Sequence, residues 1–157
     1  MARSLSVRRR ILAVLAGGFC GAVIRYVLST LIQGLAGKSW PYDILFINVT
    51  GAFVLAFVTI LADATFLIGP TRRLFINIGF LGAYTTFSSL ALGDVLLFAS
   101  NRWLPALLYL VISALGGVLA VLLGDWSGQW FISNARRTSV HTATISRTTK
   151  KLPTRPF

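Results

Sequence analysis

A chain of 157 residues has room for one domain. It is 55% hydrophobic and 12% charged, where a soluble domain carries about 25% charged residues, and its mean hydropathy is +0.77. Its formal charge is +11, with one His (His141), one Cys (Cys20), four Asp and no Glu. That inventory excludes a disulfide scaffold, a Cys/His zinc site, a Ser or Cys hydrolase within the apolar body, and a soluble nucleic-acid binder. What remains is an integral membrane protein with basic ends.

Residues 1–10 form a basic N-terminal segment with Arg8, Arg9 and Arg10. Four apolar stretches follow within residues 11–125, each near the ~20 residues that a helix needs to cross a bilayer. The first covers residues 11–32 and is interrupted by Arg25. It is too long for a signal peptide, and Phe19 occupies the place where a lipoprotein site needs a small residue before Cys20. Arg25 reads either as a charge anchored at the nearer interface or as an attractor of anions at a wet vestibule.

The second span, residues 44–62, carries Asn48, whose amide offers two donors. It serves either a neighbouring helix or a permeating anion. The third, residues 74–97, has Gly, Thr and Ser clustered near its middle, from Gly79 to Ser89. These are weak helix formers, and Ser and Thr compete for backbone bonds, so a helix broken mid-membrane is predicted. Such a break is tolerated only where it is buried or lines a polar cavity. The fourth, residues 104–123, places Tyr109 and Ser113 four apart on one face. A hydroxyl track along a pore and a pair of interhelical bonds look alike at this stage.

Residues 126–157 change character. The helix is expected to continue to about Asn134, with a disordered basic tail rich in Ser and Thr beyond it. His141 lies in that tail and receives no role. With four spans, twelve Lys and Arg fall on the side of the termini and two, Lys38 and Arg102, on the other. The positive-inside rule therefore predicts a multi-pass protein of the cell membrane with both termini cytoplasmic.

Three motifs in order, each in its own span, then carry a resemblance. They are Gly-Gly-Phe-Cys-Gly-Ala-Val-Ile-Arg-Tyr from Gly17, Ile-Asn-Val-Thr-Gly-Ala-Phe from Ile47, and Gly-Phe-Leu-Gly-Ala-Tyr-Thr-Thr-Phe-Ser from Gly79. Over about residues 17–125 the chain resembles the CrcB/Fluc family of fluoride channels. The resemblance implies an all-α antiparallel dimer with two narrow pores at the subunit interface. It implies passive, selective fluoride exit that protects the cell from fluoride toxicity. It assigns the fluoride pathway to Asn48, the ring edge of Phe87, Thr86, Ser88, Tyr109 and Ser113, with Arg25 near the vestibule. It assigns a structural sodium ion at the two-fold centre to the backbone oxygens of Gly82 and Thr85. Neutral donors suit the task, because a strongly hydrated anion needs its shell replaced without being trapped.

The chain departs from the family pattern in four places. Leu90 replaces a second Phe, Gly93 an acid (with Asp94 beside it), Ile44 a Thr, and Gly117 a hydroxyl. The charge asymmetry meanwhile disfavours insertion in both directions, so a homologous, oppositely oriented partner subunit is expected rather than a homodimer. Three other readings compete. A non-conducting structural subunit fits the departures. A small multidrug exporter also has four spans but needs an intramembrane acid, and only Asp94 lies well inside a span. An enzyme lacks any evident nucleophile–base pair.

Overall fold

The computed structural model describes residues 6–64 and 69–150, with side chains to residue 135. Among the described residues there is no strand. Helix α1 spans Val7–Ala36 and stops at Gly37, whose φ of 77° is outside the helical range and whose N–H donates to the Gln33 carbonyl. Helix α2 spans Tyr42–Ala64. The third span is composite. It opens with α3, Pro70–Arg73, with proline in the first turn. A π-helical stretch, Leu74–Leu81, and α4, Gly82–Tyr84, follow. Thr85 (φ −77°, ψ 154°) and Thr86 (φ −152°, ψ 117°) are extended, and α5, Phe87–Ala99, completes the span. Helix α6 spans Trp103–Lys150.

Val7–Ala36, Tyr42–Ala64, Pro70–Ala99 and Trp103–Ala135 are long and apolar enough to cross a membrane. Each runs past the apolar stretch that announced it. Arg and Gln are good helix formers, so the helix continues through the polar flanks where hydropathy falls. Helix α1 thus starts within residues 1–10, and α6 carries on across residue 125. The basic tail expected from residue 136 falls outside the residues described with side chains.

Backbones meet at two glycine seams. On α1, a Cβ at Gly17 would come 2.2 Å from the Phe75 carbonyl, and one at Gly21 would come 2.2 Å from that of Phe80. From the opposite side, a Cβ at Gly79 would come 2.7 Å from the Val14 carbonyl. Nothing larger than hydrogen fits between α1 and the π-helical stretch. The second seam joins α6 to α2, where a Cβ at Gly124 would lie 2.4 Å from the Phe53 carbonyl and one at Gly128 would lie 2.9 Å from Ile60. Small residues four apart are the usual way for membrane helices to gain contact, because lipid gives them no hydrophobic push together.

Two small cores stand between these pairs. Ile47, Leu81 and Tyr84 form one, flanked by Leu28, Ile76 and Phe80. Leu97, Ala106 and Tyr109 form the other, flanked by Trp40, Leu45 and Leu90. Only 11–22% of the most apolar window of each span is buried in the single chain, so most of its apolar surface faces lipid or another subunit. At one end, Trp40 Nε1 donates to the Pro105 carbonyl at 3.3 Å and Arg102 donates to that of Ser39, tying the two short connectors together. Arg73 pairs with Asp63 at 2.6 Å at the opposite end.

Candidate functional site

The interruption at Thr85 and Thr86 organises the site. An extended residue inside a span has an N–H and a C=O that no helix satisfies, and Thr86 is only 8% exposed. Buried backbone groups must find partners. Asn48 on α2 supplies both. Its Nδ2 donates to the Thr86 carbonyl at 3.0 Å, and its Oδ1 accepts from the Thr86 N–H at 2.8 Å. The carboxamide thereby imitates a peptide unit and pairs with the strand-like residue as a neighbouring strand would. One Nδ2 hydrogen remains.

Thr86 then caps α5. Its Oγ1 accepts from the Ser89 N–H at 3.2 Å, donates to Ser89 Oγ at 3.0 Å and lies 3.1 Å from Ser88 Oγ. The first turn of α5 carries Phe87, 81% exposed, and the exposed Ser88. A helix N-terminus of this kind holds N–H groups without intrahelical partners and the positive end of the helix dipole. It is an environment for an anion.

The carbonyl side of the interruption has the opposite character. The N–H four residues beyond Gly82 is that of Thr86, which bonds Asn48. The N–H four beyond Thr85 is that of Ser89, which bonds Thr86 Oγ1. Both main-chain oxygens therefore lose their helical donors, whereas Thr85 Oγ1 donates back to the Leu81 carbonyl at 2.9 Å. Neutral oxygens of this type suit a hard cation such as sodium. Among the described residues no three His, Cys, Asp or Glu side chains gather into a metal cluster.

On α6, Tyr109 is 0% exposed and its hydroxyl has no hydrogen-bond partner among the described residues; the buried Ser113 Oγ has none among them either. Two unpaired hydroxyls on one helix face are costly unless something outside the chain accepts from them. Leu90 packs against the Tyr109 cluster, which puts one departure from the family pattern beside this track. A Cβ at Gly116 would lie 3.2 Å from Val49, the neighbour of Asn48, so α6 passes close to α2 at this level. Arg25 is partly buried on α1, and no described hydrogen bond or ion pair joins it to the Asn48–Thr86 pair.

A second polar group lies apart from every residue that the sequence singled out. Asp43, 3% exposed at the start of α2, accepts hydrogen bonds from Ser29 and from Gln33 Nε2, the latter at 2.8 Å. The signal was present, since Ser29 and Gln33 stand four apart in an otherwise apolar helix. The three line a cleft of about 510 Å³ that Lys38 and Arg102 also line.

Residues 12–125 match the family described as CrcB-like protein, Camphor Resistance (CrcB). The chain belongs to the CrcB family. Its CrcB relatives include proteins named fluoride-specific ion channel FluC. The one from Roseiflexus is 42% identical over 115 residues, covering 73% of this chain and 92% of its own length. That of Chlorobium chlorochromatii is 38% identical over 120 residues, covering 76% and 92%. That of Chloroflexus aurantiacus is 35% identical over 121 residues, covering 77% and 96%. The matched span of the CrcB family contains both glycine seams up to Gly124 and the whole Asn48–Thr86 arrangement.

Proposed function

We propose that the chain is one subunit of a passive, fluoride-selective channel that lets fluoride leave the cytoplasm and so protects against its toxicity. The observation that carries the reading is the Asn48–Thr86 pairing at the interrupted third span, with the open first turn of α5 beside it. The names of the CrcB relatives point the same way. Fluoride leaves water only if donors replace its shell. The spare Asn48 amide hydrogen, the hydroxyl of Ser88 and the unpaired hydroxyls of Tyr109 and Ser113 are such donors, while Thr86, whose hydroxyl hydrogen goes to Ser89, holds the turn that presents them. The Phe87 ring adds its positive edge. Arg25 raises the local anion concentration at the vestibule without occupying the path. No donor in the path is charged, so the ion is held weakly enough to move on.

The same reading includes a structural sodium ion on the Gly82 and Thr85 main-chain oxygens, with both termini cytoplasmic. It also includes an antiparallel assembly. The large apolar surface of the single chain supports a second subunit. The twelve-to-two charge bias and the absence of hydroxyl or aromatic side chains at Ile44, Leu90 and Gly117 favour a homologue inserted the other way over a second copy. Those departures also favour one alternative, a subunit that completes the dimer without conducting through its own donors. Fluoride efflux from liposomes holding the purified complex tests both. A large loss with Asn48→Ala in this chain supports conduction through it, and unchanged efflux in an intact complex supports the structural role. Full rescue of a fluoride-hypersensitive bacterium by this chain alone would overturn the heterodimer.

A further inference from the structure

Beside the Asn48–Thr86 pair, α2 makes a second polar contact with the third span. Tyr84 ends α4, immediately before the extended residues Thr85 and Thr86, and is 7% exposed. Its hydroxyl oxygen lies 3.0 Å from Thr50 Oγ1. The single hydroxyl hydrogen of Thr50 goes to the Phe46 carbonyl, 2.7 Å away on its own helix, so Tyr84 is the donor. Helix α2 turns about 100° per residue, which sets Asn48 and Thr50 on either side of a ridge formed by Ile47 and Gly51. That ridge faces the third span. Ile47 is 0% exposed and shares a core with Leu81 and Tyr84. A Cβ at Gly51 would overlap the Thr85 methyl and come 3.1 Å from the Tyr84 ring. The helix therefore grips the interruption twice, before it through Thr50 and Tyr84 and after it through Asn48 and Thr86. Tyr84 is braced from the other side as well. Its ring stacks on that of Phe80 with centroids 5.9 Å apart, and the Phe80 carbonyl borders the α1 seam at Gly21.

We propose that Tyr84 and Thr50 are positioning residues for the ion path, and that their hydrogen bond fixes the spacing of the wall beside Asn48. The inference rests on the channel reading of the Asn48 site. Neither hydroxyl has a hydrogen to give an anion, because that of Tyr84 goes to Thr50 and that of Thr50 to Phe46. Their action is on the two extended residues between them and α5. An extended segment inside a helical span is held only by what grips its ends. With the Asn48 pair alone, Thr86 and the first turn of α5 would pivot about one amide. A second grip on the other side of the same ridge removes that freedom. A binding constellation keeps its geometry only when such supporting contacts lock it. A small anion is coordinated by a wall of fixed spacing, and a larger one needs the wall to part. Loosening the grip therefore lowers discrimination between anions before it lowers passage. A tyrosine that only filled the core would act through its ring, and its hydroxyl would add stability alone.

The test compares Tyr84→Phe, Thr50→Val and Thr50→Ser in the purified full chain, or in its complex. Fluoride and chloride efflux from liposomes gives the selectivity, and thermal unfolding in detergent is measured alongside. One neutral hydrogen bond corresponds to about two- to tenfold, so Tyr84→Phe and Thr50→Val are each expected to lower the fluoride-to-chloride ratio by that factor. Together they are expected to lower it no further than the worse single variant, because both remove one bond. Thr50→Ser keeps the acceptor and is expected to retain the wild-type ratio. Hydrogen exchange at the Thr86 amide supplies a readout without flux. It is expected to quicken at least threefold in Tyr84→Phe, although the Asn48 partner is untouched. An unchanged ratio in Tyr84→Phe, whatever its melting point, would overturn the proposal. So would multiplicative effects in the double variant, a Thr50→Ser that behaves as Thr50→Val, or unaltered exchange at Thr86. A wild type that passes no fluoride would instead defeat the channel reading, and the exchange comparison would still decide whether Tyr84 holds the interruption.

Discussion

Replacing Asn48 probes structure and conduction at once, and two substitutions separate them. In Asn48→Ala the Thr86 N–H and C=O lose both partners at a position 8% exposed. Each buried group left unpaired costs about 1–3 kcal/mol, so stability falls by about 2–6 kcal/mol. A donor to an anion is worth about 1.5–3 kcal/mol, and every 1.4 kcal/mol is tenfold, so fluoride flux falls about 10–150-fold. Asn48→Asp is the sharper variant. One carboxylate oxygen still accepts from Thr86 N–H, so half of the pairing survives. The other oxygen now faces the Thr86 carbonyl and sets a negative charge in the path of an anion. The aspartate variant is thus expected to melt above the alanine variant while conducting no better. Thermal unfolding in detergent gives the first quantity, and a fluoride electrode recording efflux from liposomes gives the second. Wild-type efflux through Asn48→Asp would refute the reasoning, because it would mean that no anion passes this side chain.

Four further outcomes follow from other positions. Tyr109→Phe removes a buried hydroxyl with no protein partner, so melting does not fall while efflux drops about tenfold; a drop in melting instead would assign the hydroxyl to packing. Gly79→Ala places a Cβ 2.7 Å from the Val14 carbonyl and is expected to cost about 1–3 kcal/mol in thermal unfolding. Asp43→Leu deprives Ser29 and Gln33 of their shared acceptor at a buried site, and a loss of about 1–3 kcal/mol is expected by the same measurement. Asp63→Asn breaks an ion pair whose side chains are 47% and 54% exposed, so the cost stays under about 1 kcal/mol and shrinks further as salt is raised.

The spans were legible because twenty apolar residues in a row have few other uses. Their ends were less so. Arg8 to Arg10 and the turns after Leu123 carry polar side chains on a backbone that stays helical, and hydropathy does not register backbone geometry. The Gly-Thr-Ser run marked the region of Thr85 and Thr86, because those residue types weaken a helix wherever they cluster. Which partner would take the freed N–H and C=O was not legible. Asn48 lies 38 residues away, and its amide gives the same letter whether it faces a peptide or an ion. The seams show the same limit. Gly17 and Gly21 stand in the sequence only as letters of the first motif, and the packed chain alone reveals that Gly79 answers them. Asp43 lies in the sequence at the edge between a connector and the second span. Its burial depends on Ser29 and Gln33 from α1, and that contact is a property of the folded bundle.

The glycine seams also say something about how such a passage works. Where two backbones touch, no side chain can swing aside, and separating them requires the helices to part along their whole length. The α1 contact with Phe75 and Phe80 and the α6 contact with Phe53 therefore behave as welds, and the threonine pair at the interruption is held between two stiff rods. A conduit framed in this way is expected to have stiff sides at the two seams. Its throughput should rise with temperature about as steeply as diffusion in water does, and its selectivity has to reside wholly in which hydrogens line the wall.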